Sequence, residues 1–217
     1  MVRFVIPARK GSKGMPFKNR LLLDKTLSII PKELLKQAVI STDDEWIAQR
    51  AKECGVTLHM RSKNNSSDTA STRDVLLEVA EDLKFNKDDA IVLLYLTFPN
   101  RKFDDVERSI KFFNDCRAKS MLCRAEPETH PYLCLFSQGE SKGKQIISHD
   151  MCRRQEYPEC FMVSHYVGVF KVSELKFLNR NMYNEKTVFY PIDVPLDVDT
   201  KEDYNKIQGE EWKRNKK

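Results

Sequence analysis

The chain has 217 residues, of which 41% are hydrophobic and 32% charged, and its formal net charge at neutral pH is +5. This length and composition are typical of a folded domain that buries its own core, and no apolar run reaches the roughly 18 residues of a membrane-spanning helix. They argue against a membrane protein, and the lack of a basic helix or an interleaved aromatic stripe argues against nucleic-acid binding.

The first residues and the cysteines indicate the cellular compartment. The start, MVRFVIPAR, has no signal-peptide pattern. The six cysteines form no C-x-x-C pair and accompany no paired histidines. We therefore expect free thiols and a cytoplasmic location, with a disulfide framework or a zinc site as the alternative.

Strand-like and helix-like segments alternate through the first half of the chain. The predicted strands are apolar and rich in β-branched residues: Val2–Ile6, Ala38–Ser41, Val56–Met60 and Ala90–Leu96. The predicted helices repeat apolar residues at the helical period: Asp43–Cys54, Ser71–Leu83 and Asp104–Asp115. This alternation predicts an α/β fold, a Rossmann-like, mixed but mostly parallel sheet with helices on both faces.

The pattern changes after about Ser120. Short strand-like segments follow one another in MLCRAE (121–126), YLCLF (132–136) and KQIIS (144–148), and HYVGVF (165–170) then returns to the main sheet. A closing helix is predicted over Lys201–Lys213. We expect one domain over residues 1–217, with a β-rich flap inserted at about 119–160.

The loop after the first strand, IPARKGSKGMPFKN, combines cations with two glycines. In an open α/β sheet, ligands bind at the carboxyl ends of the strands. Glycines let backbone N–H groups approach an anion, Ser12 offers a hydroxyl donor, and Arg9, Lys13 and Lys18 can neutralise phosphate charge. The P-loop pattern and G-x-G-x-x-G are both absent. These residues favour a phosphate-binding loop, with a solvated basic loop as the alternative.

Three polar segments allow both a structural and a ligand-binding interpretation. Asp197 and Asp199 alternate in PLDVDT, so on an extended strand both carboxylates face one side, where they would suit Mg²⁺. On the residues alone, an acidic strand end or a helix cap is the simpler interpretation. DTASTRD around Ser71 has the spacing of a helix N-cap, and a helix N-terminus can also bind a ligand. Asp43 and Asp44 in STDD are ambiguous in the same way.

Seven blocks, in order, resemble the CMP-sialic acid synthetases (acylneuraminate cytidylyltransferases). IPARKGSKGMPFKN is close to the family pattern IPAR-x-GSKG-x-x-x-KN, STDDEWIA to STDD-x-x-IA, and DTASTRDVL to DTAST-x-DV. LLYLTFPNR lies where the family has LLQPTSPLR, and HPY, RRQEYP and DVDT complete the series. The resemblance covers nearly the whole chain.

The resemblance implies attack on the α-phosphate of CTP by the anomeric hydroxyl of a nine-carbon 2-keto acid sugar, which gives a CMP-sugar and pyrophosphate. Such a displacement depends on positioning and charge neutralisation. By resemblance, the CTP-binding residues are Arg9, Ser12, Lys13, Lys18, Asn19, Arg61 and Ser71. The catalytic residues that it implies are Arg9, Lys18 and Asp199, with Asp197 and Asp199 as ligands of Mg²⁺. Whether Lys18 or Arg9 is the main stabiliser of the transition state stays open.

Departures from the family pattern fall in the segments expected to hold the acceptor. The family's Gln-Pro-Thr-Ser-Pro-Leu-Arg reads Tyr95–Arg101 here, and its Arg-x-Asn-Gly is replaced by Met162–His165. A site built to hydrogen-bond particular hydroxyls rejects analogues that lack them, so these changes favour a different acceptor. The candidate acceptor-binding residues are Tyr95, Thr97, Arg154, Gln155, Ser164 and His165.

Three functions therefore compete. The first is a cytidylyltransferase for a sialic-acid-like nonulosonate, and the second uses CTP with a shorter keto-deoxy acid, a phosphorylated metabolite or a phosphonate. The third is a non-catalytic relative that only binds CTP. The family dimerises through its flap, so we expect a homodimer whose ligands are CTP and a small acidic sugar or related acceptor, and which binds neither nucleic acid nor membranes.

Overall fold

The computed structural model describes residues 1–12 and 14–214, with side chains as far as residue 207. Lys13, one of the predicted CTP ligands, lies outside the described residues. The strands in this range are β1 (Val2–Pro7), β2 (Ala38–Thr42), β3 (Thr57–Met60), β4 (Ala90–Leu93), β5 (Ser120–Ala125), β6 (Leu135–Ser137), β7 (Gly143–Gln145), β8 (Met162–Lys171) and β9 (Val188–Pro191). The α-helices are α1 (Lys18–Ile29), α2 (Glu45–Glu53), α3 (Thr72–Asp82), α4 (Phe103–Asp115) and α5 (Lys201–Arg214).

Seven strands form one mixed sheet in the order β3-β2-β1-β4-β8-β5-β9. β1 pairs in parallel with β2 and β4, β2 with β3, and β5 with β9, whereas β8 is antiparallel to both β4 and β5. The prediction of a mixed, mostly parallel sheet is confirmed. The carboxyl ends of every strand except β8 consequently lie along one edge of the sheet.

Side chains alternate between the two faces of the sheet, and each face carries its own core. Phe4 and Ile6 belong to one buried cluster, whereas Val5 between them belongs to the other. Helices α1, α2, α4 and α5 supply apolar residues to the first cluster, and α3 supplies Val75 and Leu76 to the second. The strands buried in this way read as continuous apolar runs, as expected for a sheet covered on both sides.

The structure corrects three details of the predicted elements. β5 was predicted inside the flap, but it lies between β8 and β9 in the main sheet, where Met121 and Leu122 are fully buried. Its apolar run is therefore that of a central strand. The strand predicted over Ala90–Leu96 ends at Leu93, so the residues that follow are free to turn into the loop. The apolar repeat of the helix predicted over Asp43–Cys54 includes Trp46 in its buried stripe, but Trp46 is 46% exposed and lies beside the guanidinium of Arg20.

The segment outside the main sheet, residues 126–161, is here called the flap. It contains the two-stranded sheet of β6 and β7. Its rings stack around Tyr132, which lies 4.2 Å from His149 and 5.3 Å from Tyr157 between centroids. Large apolar side chains of the flap are exposed: Leu133, Leu135, Phe136, Ile146, Ile147 and Met151. None of the described helices is both long and apolar enough to cross a membrane.

Asp44 joins the first two helices to the sheet. Its carboxylate caps α2 by accepting the N–H groups of Trp46 (2.9 Å) and Ile47 (3.4 Å). The guanidinium of Arg20, on α1, donates two further bonds to it, of 2.8 and 3.0 Å. Burial alone would raise the pKa of Asp44, but these bonds outweigh it and hold the pKa below its ordinary value. The STDD aspartate is thus a structural cap, as one of the two sequence interpretations predicts.

Replacing Asp44 by Asn should destabilise the fold by about 2 kcal/mol at pH 7, because the charge-assisted bonds to Arg20 are lost. A carboxyl group whose pKa is lower in the folded than in the unfolded protein stabilises the fold fully at pH values above its unfolded pKa, about 3.9. This stabilisation is lost as the pH falls through the lower pKa of the folded protein. The difference between parent and Asp44→Asn should therefore shrink below about pH 4. Urea unfolding across this range measures it.

The matched control is Asp24→Asn, which removes the surface bond between Asp24 and Arg50. Both of these side chains are exposed to solvent, so the control should lose less than about 1 kcal/mol. Equal losses for Asp44→Asn and Asp24→Asn would contradict the structural role given to Asp44.

Candidate active site

A cavity of about 520 Å³ opens at the edge of the sheet where β1, β2, β3 and β4 end. This volume is in the range of sites for small ligands, and the position is where open α/β sheets bind them. The cavity is lined by Pro7, Arg9, Ser12, Gly14, Lys18, Asn19, Arg61, Asn65, Ser67, Asp68, Ala70, Thr72, Val75, Tyr95, Leu96, Thr97, Asp199 and Thr200.

The loop after β1 is held against its neighbours by backbone contacts. The side-chain amide of Asn19 donates to the carbonyl of Arg9 at 2.7 Å, and the N–H of Lys10 donates to the carboxylate of Asp43 at 2.7 Å. Gly14 lies so close to the carbonyl oxygen of Asp199 that a Cβ would be 2.4 Å from it. Only glycine fits there, so the loop and the C-terminal segment form one wall of the cavity.

The cationic groups of this loop point along the cavity. The guanidinium of Arg9 pairs with the carboxylate of Asp68.

Helix α1 begins at Lys18, and its N-cap residue, Phe17, supplies no side-chain hydrogen bond to the first turn. The N–H of Lys18 already donates to the carbonyl of Met15 at 3.2 Å, so an anion at this helix N-terminus would be bound by the N–H groups that follow it.

Lys18 is the most constrained cation of the site. It is only 8% exposed, and its ammonium donates to the carbonyl of Val198 at 3.0 Å and to the carboxylate of Asp199 at 2.8 Å. The Asp199 side chain is 72% exposed. The charge of Lys18 is thus fixed at the cavity wall beside a carboxylate that faces solvent.

Asp197 and Asp199 lie on the same side of the chain, but not on a strand. Residues 192–199 do not form the strand considered from the sequence, although the N–H of Val198 donates to the carbonyl of Thr97 at 2.8 Å. Pro195 lacks a donor and limits a longer ladder. Since Val198 is fully buried, its two acidic neighbours are directed away from the core.

The two carboxylates are close enough to influence each other. Partial burial and the negative charge of Asp199 raise the pKa of Asp197, against a hydrogen bond from Thr97 and the charge of Lys18. A site that crowds negative charge in this way favours a bound cation or proton. Hard carboxylate oxygens of this kind fit Mg²⁺.

Arg61 occupies the opposite side of the cavity, after β3. Its Nε donates to the carbonyl and to the hydroxyl of Ser41, both at 3.1 Å. Burial lowers the pKa of Arg61 to about 10, against the raising effect of Asp43 and Glu78. Its Nη2 is buried and has no hydrogen-bond partner within the described residues. The described residues therefore leave one donor of Arg61 unsatisfied.

The two segments that depart from the family pattern meet where His165 packs against Tyr95, a residue that lines the cavity. The hydroxyls of Tyr95 and Thr72 are hydrogen bonded at 2.6 Å, and burial raises the pKa of Tyr95. The ring of His165 meets that of Tyr95 edge to face, with centroids 5.8 Å apart. Nε2 of His165 donates to the carbonyl of Asn181 at 3.1 Å. Tyr95, with His165 packed against it, thus gives the cavity an aromatic wall with few free polar groups.

Several of the predicted site residues lie elsewhere. Ser71 caps α3, where its hydroxyl accepts the N–H of Asp74 at 3.1 Å. Ser164 is buried and accepts the N–H of Tyr166 at 3.3 Å, because alternate residues of β8 face opposite sides. Arg154 and Gln155 are exposed in the flap and do not line the cavity. Within one chain, these four side chains do not line the cavity, and neither do those of Asp197 and His165.

Two cavity residues were missed in the sequence although they belong to a recognised block. Asp68 and Thr72 both lie in DTASTRD, and they hold Arg9 and Tyr95 respectively. Their block was assigned only through Ser71. Their position in the sequence could have indicated them. Polar residues at or just before the start of a helix face the crevice at the edge of the sheet where the strands end.

Two relatives of known function match nearly the whole of this chain. The N-acylneuraminate cytidylyltransferase of Streptococcus agalactiae serotype V is 27% identical, over 94% of this chain and 52% of that protein. The CMP-N,N'-diacetyllegionaminic acid synthase of Legionella pneumophila is 26% identical, over 92% of this chain and 91% of that protein. The chain thus spans about half the length of the first of these relatives.

Among solved structures, a CMP:2-keto-3-deoxy-manno-octonic acid synthetase complexed with CTP has a similar fold. Its TM-score is 0.68 at 16% identity, over 98% of this chain and 99% of that one. At this identity the likeness establishes the fold alone. A sequence model of the family described as cytidylyltransferase matches residues 3–186. Because this match covers most of the chain, the protein belongs to the cytidylyltransferase family.

Proposed function

We propose that the protein transfers CMP from CTP to the anomeric hydroxyl of a sialic-acid-like nonulosonate and releases pyrophosphate. The observation that carries the proposal is the ammonium of Lys18, held between the carbonyl of Val198 and the carboxylate of Asp199 at the cavity wall. It sets a fixed cation and an exposed carboxylate side by side, as charge neutralisation and proton removal require. The relatives' names, which refer to N-acylneuraminate and N,N'-diacetyllegionaminic acid, support the acceptor class.

The triphosphate is proposed to lie along the loop after β1. Arg9 and Lys18 supply positive charge, and Ser12 and Asn19 supply polar groups on the same wall. The N–H groups that follow Lys18 at the start of α1, which no N-cap side chain engages, add donors that favour an anion. Lys13 is proposed to contribute from the same loop.

The cytosine base is proposed to lie against Arg61. A buried guanidinium N–H without a partner is costly unless a ligand oxygen accepts it, and a pyrimidine carbonyl is such an acceptor. Ser71 is assigned to the same region, but its engaged hydroxyl favours the helix-cap role over a direct contact.

The reaction is a displacement at the α-phosphorus. The acceptor's anomeric oxygen forms a bond to that phosphorus while the bond to the bridging oxygen breaks, and pyrophosphate leaves with the electron pair. Lys18 and Arg9 stabilise the charge on the phosphoryl oxygens. The hydroxyl proton is proposed to pass to Asp199, the exposed carboxylate of the pair.

Asp197 and Asp199 would hold Mg²⁺ together with phosphate oxygens of the nucleotide. The raised pKa of Asp197, caused first by burial and then by the negative charge of Asp199, supports this assignment, because a bound cation would offset both effects. When bound, the ion would supply further neutralisation of the triphosphate.

Lys18→Ala and Asp199→Ala should each lower CTP-dependent pyrophosphate release by about a hundredfold or more, because a preorganised charge at the reacting phosphate is lost. Release is measured with CTP, Mg²⁺ and a nonulosonate, with thermal unfolding to confirm the fold. Lys10→Ala is the matched control, since Lys10 is exposed and contributes only its backbone N–H to the loop. Failure of CTP to bind or to turn over with any acid tested would overturn the proposal.

The aromatic wall of Tyr95 and His165 favours a second candidate acceptor. A wall with few free polar groups loses little when the substrate lacks hydroxyls, so a shorter keto-deoxy acid also fits the site. A phosphorylated metabolite or a phosphonate is the further possibility within this candidate.

An acceptor panel with pyrophosphate readout separates these candidates. We expect turnover with a nonulosonate, and we expect Tyr95→Gln to change the ranking of acceptors more than the affinity for CTP. A stronger preference of the parent for an eight-carbon acid would support the second candidate instead. Tight binding of CTP without turnover on the whole panel would identify a non-catalytic relative.

The protein is proposed to be a cytoplasmic homodimer that associates through the flap. The exposed apolar residues there, among them Leu135, Phe136 and Ile146, form the kind of surface that marks an interaction site. Arg154 and Gln155 lie in the same segment. In a dimer formed through the flap, these two side chains would lie either near the partner's cavity or at the dimer interface. Phe136→Glu should shift the mass measured by light scattering from dimer to monomer. A monomeric parent would contradict the proposed association.

A further inference from the structure

A buried chain of hydrogen bonds extends from the proposed base-binding residue to the outer face of α3. Ser41 on β2 and His59 on β3 are directly opposite each other in the parallel pair, and they are 0% and 4% exposed. The hydroxyl of Ser41 lies 3.1 Å from Nδ1 of His59, and Nε2 of His59 lies 3.1 Å from a carboxylate oxygen of Asp82. The function proposed above does not use these groups.

The donors and acceptors of this chain can be assigned in one consistent way. The guanidinium of Arg61 has no acceptor, so its Nε donates to the hydroxyl oxygen of Ser41 at 3.1 Å. The carboxylate of Asp82 can only accept, so in the neutral form of the imidazole the single ring proton lies on Nε2. Nδ1 of His59 is then an acceptor, and the hydroxyl proton of Ser41 points to it.

The neighbouring acidic group of α3 is occupied in a different way. Glu78 accepts the N–H of Ser62 at 2.8 Å and the side-chain amide of Asn65 at 2.6 Å. Its carboxylate therefore holds the loop that follows Arg61. The groups facing His59 are thus Ser41 from β2 and the carboxylates of Asp82 and Glu78 from α3.

We infer that His59 is a positioning residue for Arg61, and through it for CTP. By accepting the Ser41 hydroxyl proton, His59 leaves the lone pairs of that oxygen directed at Nε of Arg61. The same guanidinium, whose Nη2 has no partner within the described residues, is thereby held in one orientation. Without the acceptor on His59 the hydroxyl rotates, and the guanidinium keeps only its bond to the carbonyl of Ser41. This inference rests on the proposed binding of CTP.

Two substitutions at position 59 separate positioning from packing. His59→Asn keeps an oxygen acceptor near the place of Nδ1 but loses the bond to Asp82. His59→Gln carries its amide near the place of Nε2 and offers no acceptor to Ser41. We expect His59→Gln to weaken CTP binding three- to tenfold, and His59→Asn to remain within twofold of the parent.

Calorimetric titration of the full chain with CTP and, separately, with inorganic tripolyphosphate tests the inference. Tripolyphosphate has no base, so its affinity should be the same in the parent and in His59→Gln. A general loosening of the fold would weaken both ligands. Equal loss for both ligands, or equal CTP binding by His59→Gln and the parent, would overturn the inference.

Ser41→Ala removes the shared hydroxyl and should match His59→Gln, and the double variant should bind CTP no more weakly than either single one. Additive losses would show that the two residues act separately, which contradicts the inference. Ser41→Ala also provides the test if His59→Gln does not fold. A parent that binds no CTP overturns the proposed function together with this inference. A parent that binds CTP no more tightly than His59→Gln and Ser41→Ala overturns the inference alone.

Discussion

The site depends on the contact between Lys18 and the C-terminal segment. The ammonium joins the first residue of α1 to Val198 and Asp199, which are 180 and 181 residues away along the chain. A lysine that is nearly buried must have its charge compensated, and here one carbonyl and one carboxylate do so. The geometry of the cavity therefore requires that both ends of the described chain be folded onto the sheet.

Close packing strengthens this connection. The missing side chain at Gly14 admits the carbonyl of Asp199, and the N–H of Val198 binds the carbonyl of Thr97. The loop after β1, the loop after β4 and the C-terminal segment thus meet at one point. Because each contact uses backbone atoms, the arrangement does not depend on the rotamers of exposed side chains. Such a preorganised wall is what a reaction that proceeds mainly by charge neutralisation requires.

The sequence predicts the sheet well because periodicity reports burial directly. The strands Val2–Ile6 and Ala38–Ser41, and the closing helix, lie where predicted to within a few residues. β5 was misassigned because a central strand and a flap strand both read as short apolar runs, and only the partner strands distinguish them. Trp46 shows the same limit, since hydrophobicity does not reveal that a guanidinium will cover an exposed ring.

The site could be predicted only in part, for a related reason. Motif blocks bring Arg9, Lys18 and Asp199 to the cavity, and Arg61 reaches it from the end of β3, because strand ends share an edge of the sheet. What a block does not reveal is which way each side chain turns. Ser71 turns into its own helix cap, and Ser164 faces the side of β8 opposite to His165. Contacts between blocks, such as that of Asp68 with Arg9, become visible only in three dimensions.

Tyr95 links the two halves of the site. Its hydroxyl is tied to Thr72 at the start of α3, which carries Asp82 near its other end, and its ring meets His165. An aromatic side chain held in this way presents an edge or face instead of hydrogen-bonding groups. If the proposed reaction holds, recognition of the acceptor depends more on shape and on its carboxylate than on matched hydroxyls. The proposed nucleotide half keeps its charged and polar contacts, which would let the donor stay the same while the acceptor changes.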